Sequence, residues 1–486
     1  MANHRLEQVD ALMQGVSHRR KICECYRSGP FKLSIIAASI ALCSNVHATD
    51  LNTTQTNMGN KIQVLCPLGL TTELQSNGFN TQDFQDRCNA IAGANGGLPT
   101  LPSPNTGPPL SLTTNSALVS SLQQVAPEQI ISQGTQATKT SVNILGARLT
   151  AVRLGARGIR TAGLESDPAS GSAVAGLSPS FERGGAAGDG SSALPGRFGA
   201  FVNGVYNFGD VDSTFDQVGF DYDGGGVTAG ADYRFTDDLI AGLGFSYIHS
   251  AADFDGDGGD LDSDSYNGLV YATYYLPDGL YVDGIATFGG IDYGSTRNIR
   301  YTLPRSGFAP DGDSVNTQAT ADSDGWQYSV SGGLGYNYAL GEVTLNPYAQ
   351  ASYVNLDVDG FTEQGGDGWA MRFEDQEVES VTTTLGAQLS HSISTTFGVL
   401  LPYVQGEWHH EFEDDGRDII VRFVGAGGNF PFSTVTEGPD RNYFTLGAGV
   451  SGTFAHGITG FFNYDALLGY DDIDSHLFTV GARMEF

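Results

Sequence analysis

The stretch DSHLFTVGARMEF, residues 474–486, stands at the C-terminal end of a 486-residue chain. Counting back from the last residue, every second position is apolar or small: Phe486, Met484, Ala482, Val480 and Phe478. Glu485, Arg483, Gly481, Thr479 and Leu477 stand between them. Side chains alternate across a strand with a period of two, so this stretch predicts a strand with one apolar and one mixed face. Chain ends commonly fray into polar residues. A two-faced strand that runs to a terminal aromatic predicts pairing along both edges and an apolar face turned to something other than water.

The same period governs the whole of residues 197–486. WQYSVSGGLGYNY (326–338) puts Trp326, Tyr328, Val330, Leu334, Tyr336 and Tyr338 on one face, and Gln327, Ser329, Ser331 and Asn337 on the other. YFTLGAGVSGTF (443–454) sets Phe444, Leu446, Ala448, Val450 and Phe454 against Tyr443, Thr445, Ser451 and Thr453. Twelve such segments are expected, near 197–208, 224–236, 239–252, 264–276, 280–294, 326–339, 342–356, 376–393, 398–412, 441–454, 458–469 and 475–486. At 12 to 18 residues they are long enough to cross a bilayer at a tilt, and longer than the usual strand of a soluble sandwich. Their links alternate in length. FTDDL, LPDGL, LGEV, STTFG and AHGI are short. DVDSTFDQVGFDYD, DFDGDGGDLDSD and the stretches near 295–325, 357–375 and 413–440 are long, and most are acidic and glycine-rich. DDID, before the last strand, is a short exception. Short turns at one end and long loops at the other predict an all-β fold, a transmembrane antiparallel β-barrel of about 12 strands, with both barrel ends at the short-turn, periplasmic side. On this reading Phe478, Val480, Ala482, Met484 and Phe486 face lipid, Phe486 sits in the periplasmic aromatic girdle, and closure against the first strand removes both edges.

Composition agrees. The chain carries 66 glycines, 48 tyrosines and phenylalanines, and a formal net charge of -31. So acidic a chain repels phosphate backbones, which excludes nucleic acid as a partner. A mean hydropathy of -0.16 excludes a bundle of membrane helices. The N-terminal 48 residues are read as a signal peptide. RRK (19–21) and Lys32 precede the apolar run LSIIAASIAL, and Val46 and Ala48 supply the small residues before cleavage. The remaining chain has 18 bases against 52 acids and keeps two cysteines, Cys66 and Cys88. In an oxidising compartment these two are expected to form one disulfide, which makes 49–115 a small stapled, largely irregular unit with a short helix near 80–92. Residues 116–160 have helical spacing in their second half, with Arg148, Arg153, Arg157 and Arg160 forming the one strongly basic block. A helix of about 21 residues here would be about 32 Å long, close to the hydrocarbon thickness. It would fit a barrel lumen lined with carboxylates such as Asp232, Asp283 and Asp465. Its apolar face (Leu145, Leu149, Val152) suits a protein surface equally. Residues 161–196 read as a flexible Gly/Ser-rich linker, and 197–486 as the barrel.

From residue 197 on, the chain resembles the translocator domain of autotransporters, the β-barrel of type V secretion. GFDYDGGGVTAGADYRFTDDLIAGLGFSY (219–247) is similar to the family's second and third strands, and FTVGARMEF looks like its C-terminal signal for the barrel-assembly machinery. The resemblance implies an outer-membrane anchor in contact with outer-membrane lipid, which translocates or displays residues N-terminal to it at the cell surface. A pore or structural barrel whose N-terminal part stays periplasmic or plugs the lumen is the alternative. Unlike most family members, the chain has no solenoid repeat in 49–196.

Catalysis is not expected. Glu407 and His409 belong to a mixed-charge lumen that also includes Arg234, Arg483 and Glu485. No nucleophile triad or nucleotide fingerprint appears, and no cofactor is expected. The loop DFDGDGGDLDSD matches the first half of a calcium-loop pattern at Asp253, Asp255 and Asp257, with Asp264 at the twelfth position, but lacks flanking helices and the usual glutamate. No surface ligand is legible.

Overall fold

A computed structural model describes residues 51–68, 81–94, 116–127, 197–303, 305, 311–426, 430–454 and 458–486. Its barrel strands are β1 (Phe198–Val211), β2 (Phe220–Arg234), β3 (Leu239–Phe254), β4 (Gly259–Tyr275), β5 (Leu280–Leu303), β6 (Asp313–Tyr336), β7 (Val343–Val358), β8 (Gln376–His391), β9 (Gly398–Glu411), β10 (Asn442–Phe454), β11 (Ile458–Leu468) and β12 (Ile473–Glu485). Each pairs antiparallel with its neighbour in sequence. β12 closes on β1, from Gly199↔Glu485 to Val211↔Ile473. The Phe486 amide donates to the Phe198 carbonyl at 2.8 Å, so the ladder continues through the last residue.

The two faces sort as a lipid environment requires. On β6, Trp326, Val330 and Leu334 are exposed outward at 54–55%, while Gln327, Ser329 and Ser331 are buried inward. Val202, Val227, Leu243, Val270, Val404 and Val480 continue the outer apolar band. Exposed aromatics rim it on both sides. Phe198, Phe235, Tyr274, Tyr338, Phe397 and Phe486 lie at the short-turn end, and Tyr206, Tyr247, Tyr266, Phe288 and Trp326 lie toward the long-loop end. That is the band-and-girdle pattern of an outer-membrane barrel.

Two expected loops are strands instead. Residues 295–303 and 313–325 continue β5 and β6 as paired strands, rising above the last β6–β7 pair, Gly325↔Val358. The alternation simply continues. Arg297, Ile299, Tyr301 and Leu303 are buried on one face, but the cover is protein rather than lipid. Likewise most of DFDGDGGDLDSD is ladder, with Asp253↔Asp260 and Phe254↔Gly259 paired. Only residues 255–258 turn, with positive φ at Gly256 (70°) and Asp257 (61°).

The N-terminal segment contains helices α1 (Thr53–Leu68), α2 (Thr81–Ala94) and α3 (Ser116–Val125). α2 lies where the sequence predicts a short helix, while α1 occupies a stretch read as irregular. α1 begins with a reciprocal cap: the Gln55 amide donates to Asn52 Oδ1 (2.8 Å), and the Asn52 amide donates to Gln55 Oε1 (3.2 Å). α3 stops short of Pro127, which has no amide to continue it. Met58, Ile62 and Leu65 of α1, and Phe84, Cys88 and Ile91 of α2, recur at i, i+4 and i+7, so each helix presents one apolar stripe. Both stripes bury against the long-loop end of the barrel, in one core with the β5–β6 hairpin and the segments 359–375 and 413–440.

Candidate functional site

The densest chemistry outside the barrel wall is this junction. The long loops supply a small sheet, Met371–Phe373, Asp418–Phe423 and Phe432–Val435, paired antiparallel. Phe84 of α2 enters it, with its ring 5.3 Å from Phe423 and 5.8 Å, edge to face, from Trp369. Trp369 is fully buried, and its indole donates to the Tyr301 hydroxyl at 2.9 Å. That hydroxyl donates to Asp313 at 3.0 Å. Burial, together with the Asp313 carboxylate, pushes the Tyr301 pKa up, so the hydroxyl stays a donor. Arg87 of α2 ion-pairs with the same Asp313. Gly368 (φ +95°) is required where α2 crosses it, since a Cβ there would lie 2.6 Å from the Phe84 amide nitrogen.

Beside these rings lies a buried ion pair. Arg297 of β5 and Glu363 are bidentate, Nε to Oε1 at 2.8 Å and Nη2 to Oε2 at 2.6 Å. Arg297 also donates to the Trp369 carbonyl (3.0 Å) and, through Nη1, to the Val125 carbonyl at the end of α3 (2.8 Å). Glu363 accepts the Met371 amide as well (2.8 Å). α1 is held through polar contacts: Asn57 donates to the Ser433 carbonyl (3.1 Å), and Thr54 Oγ1 accepts the Val435 amide (3.3 Å).

The seam between β12 and β1 is the second feature. Val480, Met484 and Phe486 face outward and are exposed. On the inner face, Arg483 reaches across β1 to Asp232 of β2, Nη2 to Oδ1 at 2.6 Å and Nε to Oδ2 at 3.2 Å. Gly199 lies between them, and a Cβ there would fall 2.5 Å from Arg483 Nη2. Asp232 also accepts the Tyr271 hydroxyl at 3.0 Å. Elsewhere in the lumen Asp465 accepts Gln405 Nε2 (2.7 Å), and His409 Nε2 stands 3.3 Å from Glu407.

Asp253, Asp255, Asp257 and Asp264 do not converge. Asp264 accepts the Tyr247 hydroxyl (2.6 Å) on the outer wall, Asp255 accepts the Ser213 hydroxyl (3.1 Å), and Asp257 ion-pairs with Arg300. No group of three or more His, Cys, Asp or Glu side chains able to hold a metal occurs among the described residues. Cys88 is buried and disulfide-bonded. The Cys66 side chain lies outside the described residues, as do Arg148, Arg153, Arg157 and Arg160. Phe84, Trp369, Arg297 and Glu363 have no place in the sequence reading. The signals that point to them are the apolar stripes of α1 and α2, and the unbroken alternation through Arg297, Ile299, Tyr301 and Leu303.

Residues 200–465 match the family model described as autotransporter beta-domain. Among curated proteins, the chain is 29% identical over 218 residues to an uncharacterized protein in the trpE-trpG intergenic region of Pseudomonas putida, covering 44% of this chain and 34% of that one. It is 24% identical over 256 residues to Esterase EstA of Pseudomonas aeruginosa, covering 52% and 38%. The chain thus spans little more than a third of the length of these curated relatives. Among solved structures, the translocator domain of the autotransporter NalP from Neisseria meningitidis overlays with a TM-score of 0.47 at 16% identity, covering 60% of this chain and 90% of that one.

Proposed function

The chain belongs to the autotransporter beta-domain family of outer-membrane barrels, and we propose that its barrel carries its own N-terminal segment to the cell surface and anchors it there. One observation carries the reading. α3 ends at Val125, hydrogen-bonded to Arg297 at the long-loop end, while β1 begins at Phe198 on the short-turn end, beside Phe486. In an outer-membrane barrel, long loops face outside and short turns face the periplasm. Residues 127–197 therefore join points on opposite sides of the membrane. Unsatisfied backbone is not tolerated in lipid, and on the proposed reading the connection runs through the barrel lumen. The basic block Arg148, Arg153, Arg157 and Arg160 falls within this segment and suits a lumen with inward carboxylates at Asp283, Asp465 and Glu407.

On this reading the surface segment is a cap. Residues 49–196 contain no histidine, so no Ser/His/acid triad can be assembled within them. We read β12, with its outward Phe478, Val480, Ala482, Met484 and Phe486, as the strand that the barrel-assembly machinery engages.

Conductance in planar bilayers tests the route. The mature chain and a chain beginning at Pro127 are both expected to be nearly closed, and a chain beginning at Ser191 to conduct openly. If removal of the cap alone opened the pore as fully as the Ser191 start, the lumen route would be refuted.

A further inference from the structure

We propose that the long-loop end is a receptor for the chain's own N-terminal segment, with Arg297 as its central recognition residue. On this proposal the segment stays bound when the chain between α3 and the barrel is cut. The inference rests on the display reading above, and it goes further: the segment is a non-covalently retained cap, not a product to be shed.

The grip is distributed over separate parts of the rim. α1 lies on the strand Phe432–Val435, α2 on Gly366–Gly368 and Val424–Ala426, and α3 on β5. The surfaces beneath them are apolar: Ile299, Trp369, Met371, Phe373 and Val421 are 0–1% exposed with the helices in place. They share one core with Met58, Ile62, Phe84 and Leu122 of the helices, so loss of the segment would uncover the part of that core that faces it. The loops are therefore built around an occupant, and the occupant present is the helix set α1, α2 and α3.

Arg297 gives the site its specificity. Two of its nitrogens are committed to Glu363, and Nη1 is aimed at the Val125 carbonyl. The last carbonyls of a helix have no partner inside the helix. A guanidinium at that end meets both the orphan acceptor and the negative pole of the helix dipole. The contact is thus to backbone at the helix terminus, and it reads where α3 ends rather than which side chain it carries. Glu363 in turn holds Arg297 in place and ties it to the Met371 amide, so helix docking and loop sheet share one hydrogen-bonded group. Retention cannot be covalent, because all five cysteines precede residue 89 and the barrel has none.

The test is a cut at the rim. A flexible insert with a protease recognition sequence is placed after Ser132, and an epitope tag is placed within 96–109. Intact cells are treated with the protease, cleavage is verified on a denaturing gel, and the tagged fragment is followed in pellet and medium. The proposal expects the cleaved fragment to stay with the cells. Arg297→Met should speed its release by roughly one to two orders of magnitude, as when a helix end loses a hydrogen bond from a charged group. Leu122→Asp, which leaves every loop residue unchanged, should release it too, and this covers the case in which the Arg297 variant fails to build its loops. Prompt loss of the wild-type fragment to the medium would overturn the receptor while leaving surface display intact. Cleavage only after the outer membrane is permeabilised would overturn display and the receptor together.

Discussion

Replacing Phe84 with alanine should undock the cap while leaving the barrel intact. Phe84 is 2% exposed and sits between Trp369 and Phe423 at ring distances of 5.8 and 5.3 Å. Truncating a buried phenylalanine to alanine costs about 3–5 kcal/mol, and the cost rises when the site cannot collapse. Collapse is poor here. The backbone against the Phe84 side chain is Gly425, which carries no side chain to move into the space. At about 1.4 kcal/mol per tenfold, the undocked population rises by roughly a hundredfold to a few thousandfold. Proteolysis tracks that population when opening is fast relative to cleavage. The assay is limited proteolysis of the purified full chain in detergent, reading the initial rate of loss of residues 51–126 beside the heat-modifiable shift of the barrel. The variant should lose the segment faster by about that factor with the shift unchanged. A cleavage rate within about twofold of wild type, with a folded barrel, would refute the ring cluster as the anchor of the cap.

Other perturbations reach the rest of the structure. Phe478→Asp with Val480→Asp puts charge on the lipid face of β12, where Val480 is 57% exposed; heat-modifiable outer-membrane material should be lost, and its normal recovery would count against β12 as the assembly strand. Arg483→Ala strands Asp232, which is 3% exposed, and should cost about 3–5 kcal/mol, seen as a lower urea midpoint in detergent. The double change Arg483→Met with Asp232→Leu should be milder than the single change, and equal or greater damage would contradict the pairing. Cys66 and Cys88 are proposed to bond to each other, closing a loop of about 20 residues worth roughly 3 kcal/mol; thiol labelling of the unreduced mature protein should find no free cysteine, and two labelled cysteines would end that claim.

The barrel was legible because one rule governs all of it. Alternation in WQYSVSGGLGYNY or FTVGARMEF is imposed by lipid outside and polar groups inside, and a period of two needs no partner to be recognised. The same rule explains the shortfall at β5 and β6. The bilayer sets an expected strand length, which makes residues 295–325 look like loop, whereas Ile299, Tyr301 and Leu303 keep alternating to meet helices that sequence alone does not bring near. Phe84, Arg297 and Glu363 were hidden for a related reason. Arg297 and Glu363 are 66 residues apart, and Arg297 and Val125 are 172 apart, so no local spacing links them. The acidic run at 253–264 is a separate case. Its spacing suits a calcium loop, but β3–β4 pairing carries Asp264 down the outer wall to Tyr247 and away from Asp255 and Asp257.

The central claim is that residues 51–126 stand outside the cell while Phe198 begins the barrel at the periplasmic rim. Antibody labelling of an epitope tag placed within 96–109, on intact cells, tests it most directly. The account predicts labelling of intact cells equal to that after the outer membrane is permeabilised, with a periplasmic marker labelled only in the second case. A tag that becomes visible only together with the periplasmic marker would contradict it.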